Sequence, residues 1–214
     1  MGSIRSIVLG AGACLGLGLS GCQSGPTTPT TPAGTSSVVQ SPLVPLDEPG
    51  RNFPDGWVGT YEGAATLSVP QSKLQDFWMG LDVAAIEGSQ PPRFRWRIVY
   101  AQSQQDAAEV GSKTRQVRDY SLVEVDAARG RFDIDEGQGL VIPCVLIGGE
   151  LWSFFEVGDT SLAAVYRLTP GGEIEVTIIT HPVTVAEVLP TTKDKGVSAW
   201  LPGSMQRATL RRVR

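Results

Sequence analysis

From Gly56 to the C-terminus the chain is a succession of short runs in which apolar and polar residues alternate, with Gly, Asp and Pro clustered between them. A period of two is what a half-buried β-strand requires, because successive side chains point to opposite faces. Phe94, Trp96, Ile98 and Tyr100 fall on one face of their run, and Arg93, Arg95 and Arg97 on the other. Phe77, Met79, Leu81 and Val83 repeat the arrangement, as do Leu162, Ala164, Tyr166 and Leu168. Strands are predicted over 57–69, 76–86, 94–101, 116–125, 131–134, 140–147, 151–157, 162–168, 174–180 and 206–213, and no run carries a convincing helical period.

The links between these runs are hairpin-sized, as in Ala127-Ala128-Arg129-Gly130, Asp135-Glu136-Gly137-Gln138-Gly139, Gly148-Gly149-Glu150, Gly158-Asp159-Thr160 and Pro170-Gly171-Gly172. Such links force consecutive strands to pair antiparallel in a meander. A meander of about eight to ten strands removes its exposed edges most completely by closing into a barrel; a two-sheet sandwich is the alternative.

The first fifty residues follow different rules. Arg5 supplies a positive start, Ile7 to Leu19 is an apolar run too short to span a bilayer, and small residues follow it. The end of this segment, Leu19-Ser20-Gly21-Cys22, resembles the lipobox of bacterial lipoproteins. The resemblance implies that residues 1–21 are a signal peptide cut between Gly21 and Cys22, and that the Cys22 sulfur carries diacylglycerol. Acylation of the new amino group would follow, since durable anchoring takes more than one chain. Gln23 stands where an Asp would direct retention in the inner membrane, so the resemblance points to the outer membrane, with the domain facing the periplasm or the exterior. Residues 22–52 then form a tether rich in Ser, Thr and Pro, which buries too little apolar surface to order itself. Extended at roughly 3 Å per residue, the stretch from Ser24 to Pro49 reaches about 80 Å. The membrane is the first expected partner.

Charge and composition exclude several functions for residues 53–214. Asp and Glu outnumber Lys and Arg, 22 to 18, for a net charge of −4, so the chain lacks the basic excess of a nucleic-acid binder. Of the cysteines only Cys144 belongs to the domain, so no disulfide is available there, and its apolar neighbours mark a buried small hydrophobe. His181 is the only histidine and lies at a strand end, which suits a partly exposed turn residue; haem ligation by His181 is the alternative. Asp133, Asp135 and Glu136 resemble the start of a calcium loop, but its twelfth position is Cys144 rather than Glu, and a solvated hairpin fits better. Gly111-Ser112-Lys113-Thr114 lacks the glycines of a phosphate loop, and the mature chain has no Gly-x-Ser-x-Gly elbow. Glu124 and Asp126 alternate on a wet strand face. No catalytic set emerges, no metal site and no other cofactor, and the expectation is a protein that is not an enzyme.

Both ends of the domain resemble those of lipocalin-like (calycin) barrels. Asp55-Gly56-Trp57-Val58-Gly59-Thr60-Tyr61 looks like their first strand, with Tyr61 at the usual tryptophan position and Trp57 earlier. Met205 to Arg212 looks like their last strand, whose arginine packs over that aromatic ring. The resemblance implies a small hydrophobic ligand held in the barrel. Trp96, Tyr100, Trp152, Phe154, Phe155 and Tyr166 are the expected lining, and Arg97 or Arg167 the expected anchor for a carboxylate, although parity sets Arg97 opposite Trp96. The competing expectation is a dry, filled barrel that contacts another protein as a structural or interaction component of the envelope.

Overall fold

The computed structural model describes residues 53–54, 56–183, 187–189 and 197–213. The signal segment, the cleavage site at Gly21, the lipidation site at Cys22 and the tether therefore lie outside the described residues.

The meander runs through nine strands: β1 (Gly59–Ser68), β2 (Gln75–Ile86), β3 (Arg93–Ala101), β4 (Gln116–Asp126), β5 (Arg131–Gly137), β6 (Leu140–Ile147), β7 (Glu150–Val157), β8 (Thr160–Leu168) and β9 (Ile174–Pro182). Two short strands, β10 (Glu187–Leu189) and β11 (Val197–Ala199), pair with each other as a separate sheet before β12 (Ser204–Arg212) returns to the meander. Strand β12 inserts between β9 and β1, which closes a ten-stranded antiparallel barrel. Because β1 pairs with β2 on one side and with β12 on the other, the sandwich alternative is set aside.

The seam between β1 and β12 depends on a glycine. Tyr61 lies opposite Arg212 and Ala65 opposite Ala208. Between them, a Cβ on Gly63 would stand 2.2 Å from the Thr209 carbonyl oxygen, so no other residue lets the two backbones approach this closely.

Alternation puts one face of every barrel strand inside. Buried there are Met79, Leu81 and Val83 of β2, Phe94, Trp96 and Ile98 of β3, Phe132 and Ile134 of β5, and Ile174, Val176 and Ile178 of β9. Each large side chain of this kind contributes about 1.5–3 kcal/mol by leaving water. The outer face carries ion pairs: Arg97 with Asp119 directly opposite at 2.5 Å, Arg95 with Asp82 on a diagonal at 2.7 Å, and Arg93 with Asp135 two strands away at 3.0 Å.

Two departures from the expected elements have local causes. A five-residue helix, α1 (Gln104–Ala108), sits between β3 and β4, its first turn capped by Ser103 Oγ accepting from the Asp106 amide at 3.2 Å. None of its residues is buried, so it has no apolar period to read. Trp57 stands ahead of β1 rather than in it, in a turn where its amide donates to the Pro54 carbonyl at 2.9 Å, and its ring is fully buried.

Candidate functional site

The two ends of the barrel differ. At the end where β1, β3, β5, β7 and β9 begin, aromatic rings close the interior. Phe53 meets Phe94 edge-on at 4.7 Å between ring centres, Phe132 at 5.3 Å and Trp57 at 5.9 Å; Trp57 in turn lies 6.3 Å from Trp96. Arg212 crosses the seam over this plug. Its guanidinium stands 5.4 Å from the centre of the Tyr61 ring and donates to the carbonyls of Gly56 and Val58, while the Tyr61 hydroxyl donates to Gly56 at 2.8 Å. Tyr61 thus does the work expected of a tryptophan, and burial raises its phenol above the ordinary value, with Arg212 opposing.

Toward the other end the lining changes character. Phe77, Tyr100, Tyr120, Phe155 and Val157 face inward but are only partly covered. Register places Tyr120 opposite Trp96 and Arg118 opposite Ile98, so β4 sends a tyrosine and an arginine to the inner face. Glu136 stands at the register shift between Asp135 and Gly137 of β5, and its carboxylate interacts with Tyr120. From across the barrel Tyr166 of β8 meets Trp96 edge-on at 5.1 Å. These groups share one electrostatic environment. Burial pushes the Tyr100 phenol up to about 12, with Arg118 partly opposing. The Tyr120 phenol is raised by burial and then by the Glu136 carboxylate, again against Arg118. The Tyr166 phenol is raised well above its ordinary value by burial, with Tyr100 and Tyr120 adding to it. All three phenols remain neutral donors over the whole physiological range.

Trp96 is the odd member. Its ring is fully buried, and its Nε1–H is directed to the Tyr166 hydroxyl, an interaction that falls short of a well-formed hydrogen bond but offsets a little of the rise in that phenol.

Of the lining residues expected from sequence, Trp96, Tyr100 and Tyr166 are brought together in the interior. Trp152 and Phe154 are not. The residues between and beside them, Leu151 and Ser153, are the buried ones, so period two turns both rings outward. There they stack on each other at 5.8 Å, and the Trp152 indole donates to Glu150 at 3.0 Å. The expected arginine anchors are corrected for the same reason: Arg97 pairs with Asp119 and Arg167 with Glu175, each on the outer face at 2.5 Å. Arg118, Tyr120 and Glu136 were missed; the phase of Arg118 and Tyr120 with Leu122 marks these two as inward, whereas Glu136 stands at a register shift where phase fixes no face.

The remaining candidates are plain. His181 lies near the end of β9, its Nδ1 2.8 Å from the Pro182 carbonyl and its ring 5.8 Å from that of Trp200. Cys144 is a buried free thiol, pushed up to about 12 by burial and then by Asp133. Asp135 accepts from Arg93 and from the Gly137 amide, as a hairpin carboxylate does. Among the described residues no three His, Cys, Asp or Glu side chains gather as a metal site would need.

No protein-family model matches the chain, and no curated protein matches it by sequence. Solved structures do. One is a protein of unknown function from the DUF3598 family of Nostoc punctiforme, at 8% identity and a TM-score of 0.48. The match covers 74% of this chain and 48% of that one, so this chain spans about half the length of that relative. Another is the S-type phycobiliprotein lyase of Guillardia theta, at 12% identity and a TM-score of 0.49, covering 74% of this chain and 89% of that one. At such identities the likeness concerns the barrel alone. One correction follows: the expectation of a protein that is not an enzyme is withdrawn, because a chain with a barrel like this one is named a lyase.

Proposed function

We propose that the mature protein is a lipid-anchored barrel of the outer membrane that takes a small hydrophobic molecule into its open end. The observation that carries the reading is the unequal covering of the inner wall. Side chains at the plugged end are buried almost completely, whereas Phe77, Tyr100, Tyr120, Phe155 and Val157 are inward-facing and incompletely covered. Apolar walls with a few convergent polar groups are how small-molecule sites are built.

Native mass spectrometry of the mature protein, before and after extraction with organic solvent, tests the ligand. An adduct that leaves on extraction is expected; a bare mass that takes up no hydrophobic probe on titration would sink the reading. The anchor is tested separately by metabolic labelling with palmitate. Label and membrane retention are expected for the native chain and absent from Cys22→Ala; equal labelling of both would remove the lipobox from the argument.

A second reading has one observation in its favour. On the outer face Val145, Trp152 and Val165 lie in register across β6, β7 and β8, beside Phe154, which is 66% exposed. Exposed apolar patches of this kind mark contact surfaces. In this reading the outer stripe seats another protein, and Phe154→Glu abolishes the association while leaving ligand uptake intact.

A further inference from the structure

Resting on the reading that the chain is lipid-anchored, we infer that the end of the barrel opposite the plug is a membrane-contacting surface, whose loop tips enter the interfacial layer of a lipid bilayer. Val110, Leu201 and Leu74 are 89%, 70% and 65% exposed, and each occupies a different connection at this end. Leu74 lies between β1 and β2, Val110 between β3 and β4, and Leu201, with Trp200 beside it, between β9 and β12. Leu140, half-exposed, stands where β6 begins at the same end. These connections follow one another around the rim, so the tips form an arc broken only at the Gly158-Asp159 turn. At the plugged end the strand-to-strand connections 87–92, 127–130, 148–149 and 169–173 consist of Gly, Pro, Ala and polar residues, and Ile86, Val125 and Ile147, though exposed, remain on strands. Single exposed aliphatics are ordinary on a protein surface; their segregation to the loops of one end calls for a cause.

The form of the arc selects lipid as its occupant. A protein partner would need a separate pocket for each tip, whereas binding to a bilayer interface scales with the apolar area buried, continuous or not. The stripe at Trp152 and Phe154 is the contrary case, contiguous and on the wall. Tryptophan set among aliphatic side chains is also the composition favoured at headgroup depth. Charge contributes little, since Lys73 and Lys113 are offset in the same loops by Asp76 and Glu109. Reach is sufficient: the described chain enters at the plugged end, at Phe53, but the tether extends about 80 Å and the barrel wall, nine or so residues at roughly 3.3 Å each, stands only about 30 Å high. A barrel anchored through Cys22 can therefore turn its far end to the bilayer that holds it.

The test uses the mature lipidated chain in phosphatidylcholine vesicles, with one exposed residue at a time replaced by cysteine and labelled with an environment-sensitive dye. Cys144 is buried and Cys22 is acylated, so neither takes the label. Leu201→Cys and Val110→Cys report on the far end and Glu87→Cys on the plugged end, while lipids carrying a spin label just beneath the headgroup quench any dye at that depth. Quenching at 201 and at 110 is expected to exceed that at 87 about threefold or more, and added salt should leave it unchanged. Leu74→Glu, an exposed loop change that leaves the core untouched, should lower the quenching at 201 about twofold. Quenching that is equal at the two ends, or confined to 87, would overturn the inference. Flotation of the same samples separates this failure from that of the anchor. A chain that floats with the vesicles while all three dyes stay in water keeps the anchor and loses the docking; a chain that does not float loses both.

Discussion

The plugged end and the opposite end of the barrel are built from the same strands, yet they use aromatic residues differently. At the plugged end Phe53, Trp57, Phe94 and Phe132 interlock ring against ring with no polar atom among them except the Trp57 indole, and Arg212 covers the seam from outside. Toward the other end Phe77 and Phe155 are joined by Tyr100 and Tyr120, each of which carries a hydroxyl into an apolar space where it stays protonated. Burying a hydroxyl is costly unless something meets it. Phenylalanine would fill the same space without that cost, and the proposed function rests on the end that carries Tyr100 and Tyr120.

Four measurements press on this contrast. The largest effect belongs to the plug: Phe132→Ala should cost about 3–5 kcal/mol in urea unfolding, and Phe155→Ala at the open end less than about half of that. Equal losses would abolish the distinction between the ends. Alkaline pH acts next, and on the tyrosine half. Unfolded phenols ionise near their ordinary value of 10.0, while Tyr100 in the folded chain holds its proton to about 12, so above pH 10 the unfolded state binds fewer protons and stability falls. The loss should be complete once pH has passed through the folded values, and Tyr166→Phe should flatten the decline seen in urea midpoints up to about pH 11. Smaller again is Arg212→Met, which removes the cap over Tyr61 and should cost about 1–2 kcal/mol. Least of all, Arg97→Ala on the outer face should change stability by about 0.5 kcal/mol or less, because its partner Asp119 is itself exposed.

The period of two made the barrel legible before any coordinates: the strand that carries Phe94, Trp96, Ile98 and Tyr100 turns these residues inward, as do those of Met79 and of Tyr166. The same rule read more strictly would have corrected the site. Trp152 and Phe154 are expected as lining because they are aromatic, but ring chemistry does not choose a face; their phase against Leu151 and Ser153 does. In β4 both alternating sets mix apolar with charged residues, Val117 and Asp119 on one side and Arg118 and Tyr120 on the other, so the inward arginine could be found only by counting back from Leu122. The exchange of ring at the seam was readable because Arg212 and Tyr61 retain the spacing of the resemblance. The meeting of Tyr166 with Trp96 was not, since partners across a lumen leave no mark in the spacing of either strand.

The seam at Gly63 also governs when the molecule can exist. Its first strand finds its second partner only in its last, so the contact that closes the barrel joins the two extremes of the domain. Contacts of such long range form slowly, and on a ribosome they wait for β12 to emerge. Until then the meander has an unsatisfied edge at each side and cannot settle. A barrel with this closure cannot complete itself before β12 has been made, which leaves the preceding interval free for any step that requires an extended polypeptide.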